Sequence, residues 1–265
     1  MGPMSGFERR DLGGGILGHV ATSLERDGFL AAFLERSGGV SSGPFTSLNG
    51  SYSVGDERRA VDENRRRFAR AVGVDRFCVP GLVHGTKIVP IGRRRATDGS
   101  WGPARLLADA DGTSTTATSV GLAAFSADCL IAVMAHPPEG RVTMVHVGWR
   151  GLAAGILPKA IARFRDRRGI RVAFGPTIGP CHYEVGDDVV LAVASGSPTG
   201  AVSVRRNGRR YLDLVATSRA VLRAEGIRWV EDTGLCTACE ERRLFSYRRD
   251  GLTGRHLAVA VRLLA

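Results

Sequence analysis

Lysine is almost missing from this chain: Lys87 and Lys159 are the only lysines among 37 basic residues, and the others are arginines. The arginines are spread through 93–95, 165–168, 205–210 and 241–249 and account for most of the formal net charge of +11. A nucleic-acid site concentrates its cations on one face, whereas a spread of this kind is typical of a solvated surface. Helix-turn-helix and aromatic RNA-binding signatures are absent too. The charge pattern therefore argues against a nucleic-acid partner.

Long apolar runs are absent as well. No stretch approaches the roughly 20 apolar residues that a membrane span needs. The N-terminal sequence MGPMSGFERRDLGGG lacks the continuous apolar segment of a secretory signal. We therefore expect a folded protein of the cytoplasm that has no membrane partner.

Cysteine is scarce and its count is odd. A disulfide framework is not expected in a chain without an export signal. Two of the cysteines form a CxxC motif, but no second pair at zinc-ribbon spacing accompanies it, so the motif alone is a weak indication of a metal or redox site. The five are Cys78, Cys129, Cys181, Cys236 and Cys239.

The chain shows no internal repeat and no long linker. With 265 residues and 43% hydrophobic content, it can cover a substantial sheet with helices. Short strands and loops are expected over the first fifty residues, and strands and helices alternate from residue 77 onward. Several of these strands are apolar on both faces and need covering layers. The sequence predicts one α/β domain with mixed β-sheets covered by helices.

Three helices are predicted. The first spans 55–73, with Asp56 as N-cap candidate, an apolar stripe that includes Val61 and Phe68, and arginines and glutamates on the opposite face. The second spans 152–168 and is interrupted or started at Pro158. The third follows Asp213, a further capping candidate. The segment ADADGTSTT is expected to be a loop, and RWVE and HLAVAVRLLA are expected to be strands.

Two histidines and a cysteine that follow or end apolar segments could bind a divalent metal. They are His84 in LVHG, Cys129 in SADC and His146 in MVHVGW. Two His and one Cys, with one open position, are a known ligand set of catalytic zinc. Adjacent strands joined by HPPEGR would bring Cys129 close to His146. The same two residues could instead form a Cys-His nucleophile pair, and the sequence leaves both possibilities open.

Charged candidates accompany this set. Carboxylates that could move a proton are Asp109, Asp111, Asp128 and Glu184. Arginines beside glycines suit phosphate or carboxylate oxygens, and these are Arg150, Arg248, Arg249 and Arg255.

Several motifs occur in one order: VHG, DADG, ADC, HVGWRG, GPTIGPCHYEVG, LDL, CTAC and FSYRRDGLTGR. In this order they resemble the laccase-domain family, also called the multicopper polyphenol oxidase or purine nucleoside phosphorylase family. The resemblance is strongest over residues 40–262. The chain departs from the family pattern in four places. Leu82 stands where Gln is customary before VHG, and Ser218 stands where Asn is customary. Gly50-Ser51 follows Asn49 in place of an Asn-Leu-Gly run, and TST follows DADG in place of a more apolar continuation. None of these residues is a proposed ligand.

The resemblance implies a single-domain layered sandwich over residues 1–265 and a zinc site, with copper as the alternative metal, at His84, Cys129 and His146. These three would also be the catalytic residues. The implied activities are phosphorolysis of adenosine, inosine and methylthioadenosine, and adenosine deamination. The partners would be a nucleoside and phosphate, and a monomer is expected. Substrate contacts are expected from Asn49, Arg150, Arg248 and Arg249.

Three alternatives remain open from the sequence. One is a Cys129–His146 hydrolase that cleaves amide bonds in peptidoglycan precursors. Another is copper-dependent phenol oxidation. A multicopper site needs many histidine ligands, and the chain has only six histidines. The third is a non-enzymatic basic protein that binds metal and nucleic acid.

Overall fold

The computed structural model describes residues 6–98, 107 and 109–264. Residues 1–5, 99–106, 108 and 265 of the predicted 1–265 domain lie outside the described part. The strands of the described part are β1 Phe7–Asp11, β2 Leu17–Ala21, β3 Phe29–Leu34, β4 Arg76–Cys78, β5 Ile88–Pro90, β6 Thr97–Asp98, β7 Gly112–Thr115 and β8 Gly121–Ser126. They continue with β9 Leu130–His136, β10 Arg141–Val147, β11 Arg171–Phe174, β12 Glu184–Val185, β13 Ser203–Arg206, β14 Arg209–Leu212, β15 Trp229–Asp232 and β16 His256–Arg262. The α-helices are α1 Thr22–Arg26, α2 Arg58–Val72, α3 Trp149–Ala153, α4 Ile156–Ile161, α5 Asp187–Gly196, α6 Leu214–Ala224 and α7 Tyr247–Asp250.

Two large mixed sheets contain most of these strands. Within the described residues, one sheet has the order β1-β2-β3-β16-β8-β4-β6 and the other has the order β15-β11-β9-β10-β7-β5. Most neighbours are antiparallel, but β4 runs parallel to β8, β5 to β7 and β11 to β15. A small antiparallel sheet, β12-β14-β13, completes the fold.

The two large sheets pack face to face and carry helices on their outer faces. Strand β9 shows why, because its side chains are buried on both sides. Ile131 and Val133 belong to the apolar core between the sheets, whereas Leu130 and Met134 pack under the helices α3, α4 and α6. On the outer face of the other sheet lies α2, through Phe68 and Val72. The predicted α/β layered sandwich is therefore confirmed.

Helix α2 differs from its prediction in two ways. It begins at Arg58, after Glu57 rather than Asp56, and Glu57 makes no side-chain cap hydrogen bond. The Asp56 carboxylate instead accepts hydrogen bonds from Ser41 Oγ and Asn49 Nδ2, so it fastens the preceding loop. In addition, Arg65 does not lie on the solvated face, because it is only 1% exposed.

The predicted helix over 152–168 is wrong as a single element. It is divided into α3 and α4 at Gly155, whose φ of 80° lies in the left-handed region, and not at Pro158. Pro158 lies in the first turn of α4, where a missing N–H costs little. The loop predicted for ADADGTSTT is also wrong in part: Ala108 lies outside the described residues, but β7 covers Gly112–Thr115.

Other local predictions hold. Asp213 caps α6, since its Oδ1 accepts the backbone N–H of Ala216 at 2.8 Å. RWVE overlaps β15, which begins and ends one residue later, and HLAVAVRLLA contains β16. Within the described residues, no helix combines the length and the hydrophobicity needed to cross a membrane.

Candidate metal centre and its cavity

The turn that carries Cys129 connects the two large sheets. Strand β8 of one sheet ends at Ser126, and β9 of the other begins at Leu130. Ser126 Oγ closes this turn by donating to the carbonyl oxygen of Cys129 at 2.6 Å. Asp128, immediately before the cysteine, has a φ of 102°, which non-glycine residues rarely adopt. The Cys129 thiol is thereby fixed where the chain passes from one sheet to the other.

His146 reaches the same place from the neighbouring strand. In the antiparallel pair of β9 and β10, His146 lies opposite Ile131 and Val147 opposite Leu130. The next residue before Leu130 is Cys129, so the predicted approach of the two segments is confirmed. After Gly148 the chain enters α3, whose first turn carries Trp149 and Arg150.

His84 arrives on a loop rather than at a strand end. Its φ is 61°, and Leu82 in the same loop has a φ of 53°. The carboxylate of Asp111 holds this conformation by accepting the backbone N–H groups of Val83, His84 and Gly85 at 3.2, 2.8 and 2.7 Å. One buried carboxylate therefore orders the loop that presents His84.

Asp111 also orients the second histidine. Its Oδ1 accepts a hydrogen bond from Nδ1 of His146 at 3.0 Å. Because a carboxylate only accepts, Nδ1 carries a proton in this pair, and Nε2 is the nitrogen that can bind a ligand once it has lost its own proton. A carboxylate behind a histidine in this way is the usual outer support of a metal-binding imidazole.

The donor atoms of His84, Cys129 and His146 fit a common metal ion. All lie within 4.8 Å of one another, and Cys129 Sγ is 3.9 Å from His84 Nε2. Gly148 permits this approach, since a Cβ there would lie 2.8 Å from His84 Cδ2 and 3.3 Å from Cys129 Sγ. The set can hold zinc or another borderline metal through two nitrogens and one sulfur.

Proton affinities in this cluster are coupled. Burial raises the pKa of the Cys129 thiol, but the charge and hydrogen bonds of the two histidines outweigh it and lower that pKa to about 6. Burial lowers the pKa of His146, but Cys129 and Asp111 raise it to about 9. For Asp111, burial is outweighed by hydrogen bonds from His146 and Gly85, and its pKa is lowered. These shifts favour a thiolate at Cys129, the form that binds metals and attacks electrophiles.

The cluster opens into a cavity of about 700 Å³, a size that suits a small organic ligand. Apolar, aromatic and cationic side chains share its wall. The lining residues are Ser51, Tyr52, Ser53, Arg65, Pro80, Gly81, Leu82, His84, Phe125, Ser126, Ala127, Asp128, Cys129, His146, Trp149, Arg150, Ile178, Tyr183, Leu214, Tyr247, Arg248 and Arg255.

Besides Arg65, which is described below, three arginines on that wall lie over aromatic rings. The guanidinium carbon of Arg150 lies 4.4 Å from the Trp149 ring centroid. Those of Arg248 and Arg255 lie 5.2 Å and 5.6 Å from the ring centroids of Tyr183 and Tyr247. Cation–π contacts of this kind orient a guanidinium without using its N–H groups. Nη1 of Arg248 donates to the carbonyl oxygen of Glu184, and Nη1 of Arg255 donates to those of Thr253 and Gly254, so the other N–H groups of these two side chains are the ones that can bind an anion.

Asn49 and Arg249 lie behind this wall. Asn49 is fully buried, and its Oδ1 accepts the backbone N–H groups of Ser51 and Arg255 at 3.1 and 2.9 Å. The guanidinium of Arg249 donates to the carbonyl oxygens of Thr237, Ala238 and Leu244 and to the Asp250 carboxylate. Both side chains fasten segments that carry lining residues.

The remaining acidic candidates are placed differently from one another. Asp109 is exposed in its turn, and the Glu184 carboxylate accepts from Arg209 Nη1 at 3.0 Å. Asp128 lies on the cavity wall, where its carboxylate accepts from Thr237 Oγ1 and from the backbone N–H of Arg248. It therefore connects the turn of Cys129 to two other segments of the site.

Sequence reasoning missed Arg65 and Tyr52 of the cavity wall. The Arg65 guanidinium carbon lies 4.1 Å from the Tyr52 ring centroid and 4.6 Å from that of Phe125, and Nε donates to the Gly50 carbonyl oxygen at 2.8 Å. Burial lowers the pKa of Arg65 to about 10. The available signal was its spacing, because Arg65 follows Val61 by four residues and precedes Phe68 by three on the apolar stripe of α2.

Fold and site together define a layered α/β sandwich in which loops and strand ends gather two histidines and a cysteine at one cavity. The profile of the family described as multi-copper polyphenol oxidoreductase laccase matches residues 30–263. The chain belongs to this family, in agreement with the resemblance over 40–262.

Individual relatives cover nearly the same length. The chain is 37% identical over 244 residues to "Purine nucleoside phosphorylase YlmD" of Geobacillus stearothermophilus, covering 87% of this chain and 89% of the relative. It is 33% identical over 231 residues to "Purine nucleoside phosphorylase YfiH" of Escherichia coli, covering 86% and 91%.

Solved structures agree in fold. The crystal structure of YlmD from Geobacillus stearothermophilus superposes with a TM-score of 0.90 at 34% identity, covering 98% of this chain and all of that one. That of the hypothetical protein YfiH from Bacillus licheniformis gives a TM-score of 0.85 at 28% identity, covering 97% and 99%.

Proposed function

We propose that this chain is a zinc-dependent purine nucleoside phosphorylase. One observation carries the proposal: the three-donor site, which consists of His84, Cys129 and His146, shares one cavity of about 700 Å³ with arginines that contact aromatic rings. The names of the relatives from Geobacillus stearothermophilus and Escherichia coli support the same activity. The accepted substrates would be inosine, adenosine and methylthioadenosine.

Arg150, Arg248 and Arg255 would bind the phosphate. Guanidinium groups match phosphate oxygens in charge and geometry, and a partly enclosed site strengthens the attraction. Burial lowers the pKa of Arg255, while the charge of Asp128 opposes that effect, and the group stays cationic at neutral pH. Asn49 and Arg249 would act indirectly, by holding the segments that present these arginines.

His84, Cys129 and His146 would hold the zinc ion, which when bound supplies a Lewis acid that stabilises developing negative charge. Asp111 would keep Nε2 of His146 directed to the ion and hold the loop of His84. The aromatic rings of Tyr183 and Trp149 would exclude water from the bound nucleoside. This arrangement pre-orients the ligands, so little reorganisation is needed during the reaction.

In phosphorolysis, an oxygen of hydrogen phosphate forms a bond to the ribose C1′ while the bond from C1′ to the purine nitrogen breaks. The bonding electrons leave with the base, and the phosphate proton ends on the purine. The products are the free base and ribose 1-phosphate, or 5-methylthioribose 1-phosphate when the substrate is methylthioadenosine. The role of the arginines is to hold the attacking oxygen in line with the departing nitrogen. Deamination of adenosine would be a second reaction of this cavity, in which the oxygen of water forms a bond to C6 of the purine and the amino group leaves from that carbon as ammonia, giving inosine.

Product analysis tests the proposal. Zinc-loaded protein is incubated with each nucleoside, with and without inorganic phosphate, and the products are separated by chromatography. The base and the corresponding sugar 1-phosphate should form only with phosphate, and inosine should form from adenosine with or without it. Cys129→Ala should abolish both reactions, whereas Cys78→Ala, which removes a buried thiol of β4, should retain them. No product over many turnovers, or equal activity in Cys129→Ala, would contradict the proposal.

A Cys129 hydrolase is the second candidate, and the line Asp111–His146–Cys129 favours it. A carboxylate-oriented imidazole beside a thiol is the arrangement of a cysteine nucleophile with its base. Cleavage of amide bonds in peptidoglycan precursors would then survive exhaustive chelation and be lost on thiol alkylation. Loss of that cleavage on chelation would exclude this candidate.

The proposal extends to the location, oligomeric state and partners of the enzyme. The five cysteines are free thiols, which supports the reducing cytoplasm as the location. A monomer is the proposed state, with nucleoside and phosphate as partners and without nucleic acid. Copper remains the alternative metal for the three-donor site, and metal analysis of the purified protein would identify the ion.

A further inference from the structure

Four side chains that can bind a metal ion meet outside the cavity described above. Cys181 and His182 follow β11 in the segment GPTIGPCH, and Cys236 and Cys239 form the CxxC that follows β15. The Sγ atoms and one ring nitrogen lie within 4.8 Å of one another. This is a second set of donors, separate from His84, Cys129 and His146.

The spacing of these donors matches a single tetrahedral ion. Zinc–sulfur bonds of about 2.3 Å and zinc–nitrogen bonds of about 2.1 Å place tetrahedral ligand atoms about 3.6 to 3.8 Å apart. The Sγ atoms of Cys181 and Cys239 are 3.6 Å apart. Nδ1 of His182 lies 3.3, 3.8 and 3.5 Å from the Sγ atoms of Cys181, Cys236 and Cys239.

The surrounding backbone supports the same set. The N–H of Gly179 donates to Sγ of Cys236 at 3.2 Å, and backbone N–H groups that point at a sulfur stabilise a metal-bound thiolate. A Cβ on Gly179 would lie 3.2 Å from Cys181 Sγ and 3.3 Å from Cys236 Cβ. Glycine at this position therefore lets the two cysteine segments approach.

We propose that Cys181, His182, Cys236 and Cys239 bind a structural zinc ion. Three thiolates and one imidazole are an established closed zinc set, and soft sulfur ligands favour zinc over magnesium or calcium. The ion displaces the thiol protons, which pass to solvent, and no oxidant is required. With four protein ligands no open position remains, so this ion does not bind substrate.

The ion fastens two segments that support the candidate active site. These segments already pair through Thr177 and Cys236 in an isolated parallel bridge. Thr177 Oγ1 donates to the carbonyl oxygen of Asp128 at 2.6 Å, and Thr237 Oγ1 donates to its carboxylate. Asp128 precedes Cys129, so the zinc would fix the turn that positions this thiol. The zinc proposal itself does not depend on the proposed nucleoside chemistry.

Metal stoichiometry separates the two sites. Purified protein is loaded with zinc, freed of loose metal by gel filtration and analysed by mass spectrometry of the elements. Wild-type protein should hold two zinc ions per chain. Cys129→Ala with His84→Ala should retain one, and Cys236→Ser with Cys239→Ser should lose one. Cys78→Ala is the matched control and should retain two.

Cobalt gives a readout that does not require a folded variant of the second site. In the Cys129→Ala/His84→Ala protein, bound Co²⁺ should show the strong sulfur-to-metal absorption of several thiolates. Alkylation of this protein should label Cys181, Cys236 and Cys239 only after chelation. A variant that binds no metal, the same labelling before and after chelation, or a disulfide among these cysteines in protein purified and kept under reducing conditions would overturn the proposal. Each outcome is independent of nucleoside turnover.

Discussion

The carboxylate of Asp111 and the imidazole of His146 are joined, Oδ1 to Nδ1, at 3.0 Å. Asp111 is fully buried and His146 is 4% exposed. The same carboxylate accepts the backbone N–H of His84 at 2.8 Å. A single acidic residue therefore positions both histidines of the candidate metal centre, one through its side chain and one through its backbone.

Replacing Asp111 with Asn should weaken zinc binding at the three-donor site without removing any ligand of that site. An amide can present its NH₂ group to the loop and to Nδ1 of His146, and outer supports of this kind are worth about 10- to 100-fold in metal affinity. Competition with a chromophoric chelator measures the change. Zinc affinity equal to that of the wild type would show that Asp111 does not orient the site. Asp109→Asn, which alters an exposed carboxylate of the same segment, is the matched control.

A methyl group at Gly148 should disturb the cluster directly. Gly148→Ala would place its Cβ 2.8 Å from His84 Cδ2 and 3.3 Å from Cys129 Sγ, so His84 must move away from the thiol. We expect the zinc of the three-donor site to be lost. The zinc of the second site, which Cys181, His182, Cys236 and Cys239 form, should remain. Gly92→Ala is the control, because a Cβ there meets nothing within 4 Å. Full metal content in Gly148→Ala would contradict the proposed ligand set.

Arg150→Ala should raise the KM for phosphate more than the KM for the nucleoside. A hydrogen bond to a charged group contributes about 1.5 to 3 kcal/mol, which corresponds to about 10- to 100-fold in affinity. Initial rates at varied phosphate and saturating inosine give the comparison. Arg223→Ala removes an exposed arginine at the end of α6 and should leave both constants unchanged. An unchanged KM for phosphate in Arg150→Ala would assign the anion to other residues.

Acid should destabilise the fold through His256. Burial and the neighbouring arginines lower the pKa of this histidine to about 3. At neutral pH it is neutral in both the folded and the unfolded chain and contributes no pH dependence. Between about pH 6.5 and pH 3 only the unfolded chain takes up the proton, so the free energy of unfolding should fall by up to about 1.4 kcal/mol per pH unit from this group.

Urea denaturation at several pH values measures that slope. His256→Gln keeps an acceptor for the backbone N–H of Phe245, which now donates to Nδ1 at 3.3 Å, and it cannot be protonated. Its stability should change less with pH over this range than that of the wild type. Parallel curves for the two proteins would show that His256 does not cause the acid sensitivity.

Local signals made much of the fold predictable. Apolar runs on both faces indicated strands between covering layers, and Asp213 was recognised as a cap because its carboxylate stands three residues before a free backbone N–H. The prediction that Asp56 caps α2 was wrong because tertiary contacts engage its carboxylate, which accepts hydrogen bonds from Ser41 and Asn49. Ordered motifs such as HVGWRG and FSYRRDGLTGR were enough to identify the family.

The sequence by itself determined the layered α/β class, the family and the chemical types available: two histidines, a thiol and several arginines. The tertiary structure decided which of these meet. Asp111 became the residue that orients His84 and His146, and Arg65 entered the cavity wall despite its charge. The CxxC motif, which is only a weak indication of a metal site by itself, lies beside Cys181 and His182, more than fifty positions away. The reason is that β11 and β15 run parallel and bring the segments after them together. Contacts at such separation depend on sheet pairing, which no local pattern specifies.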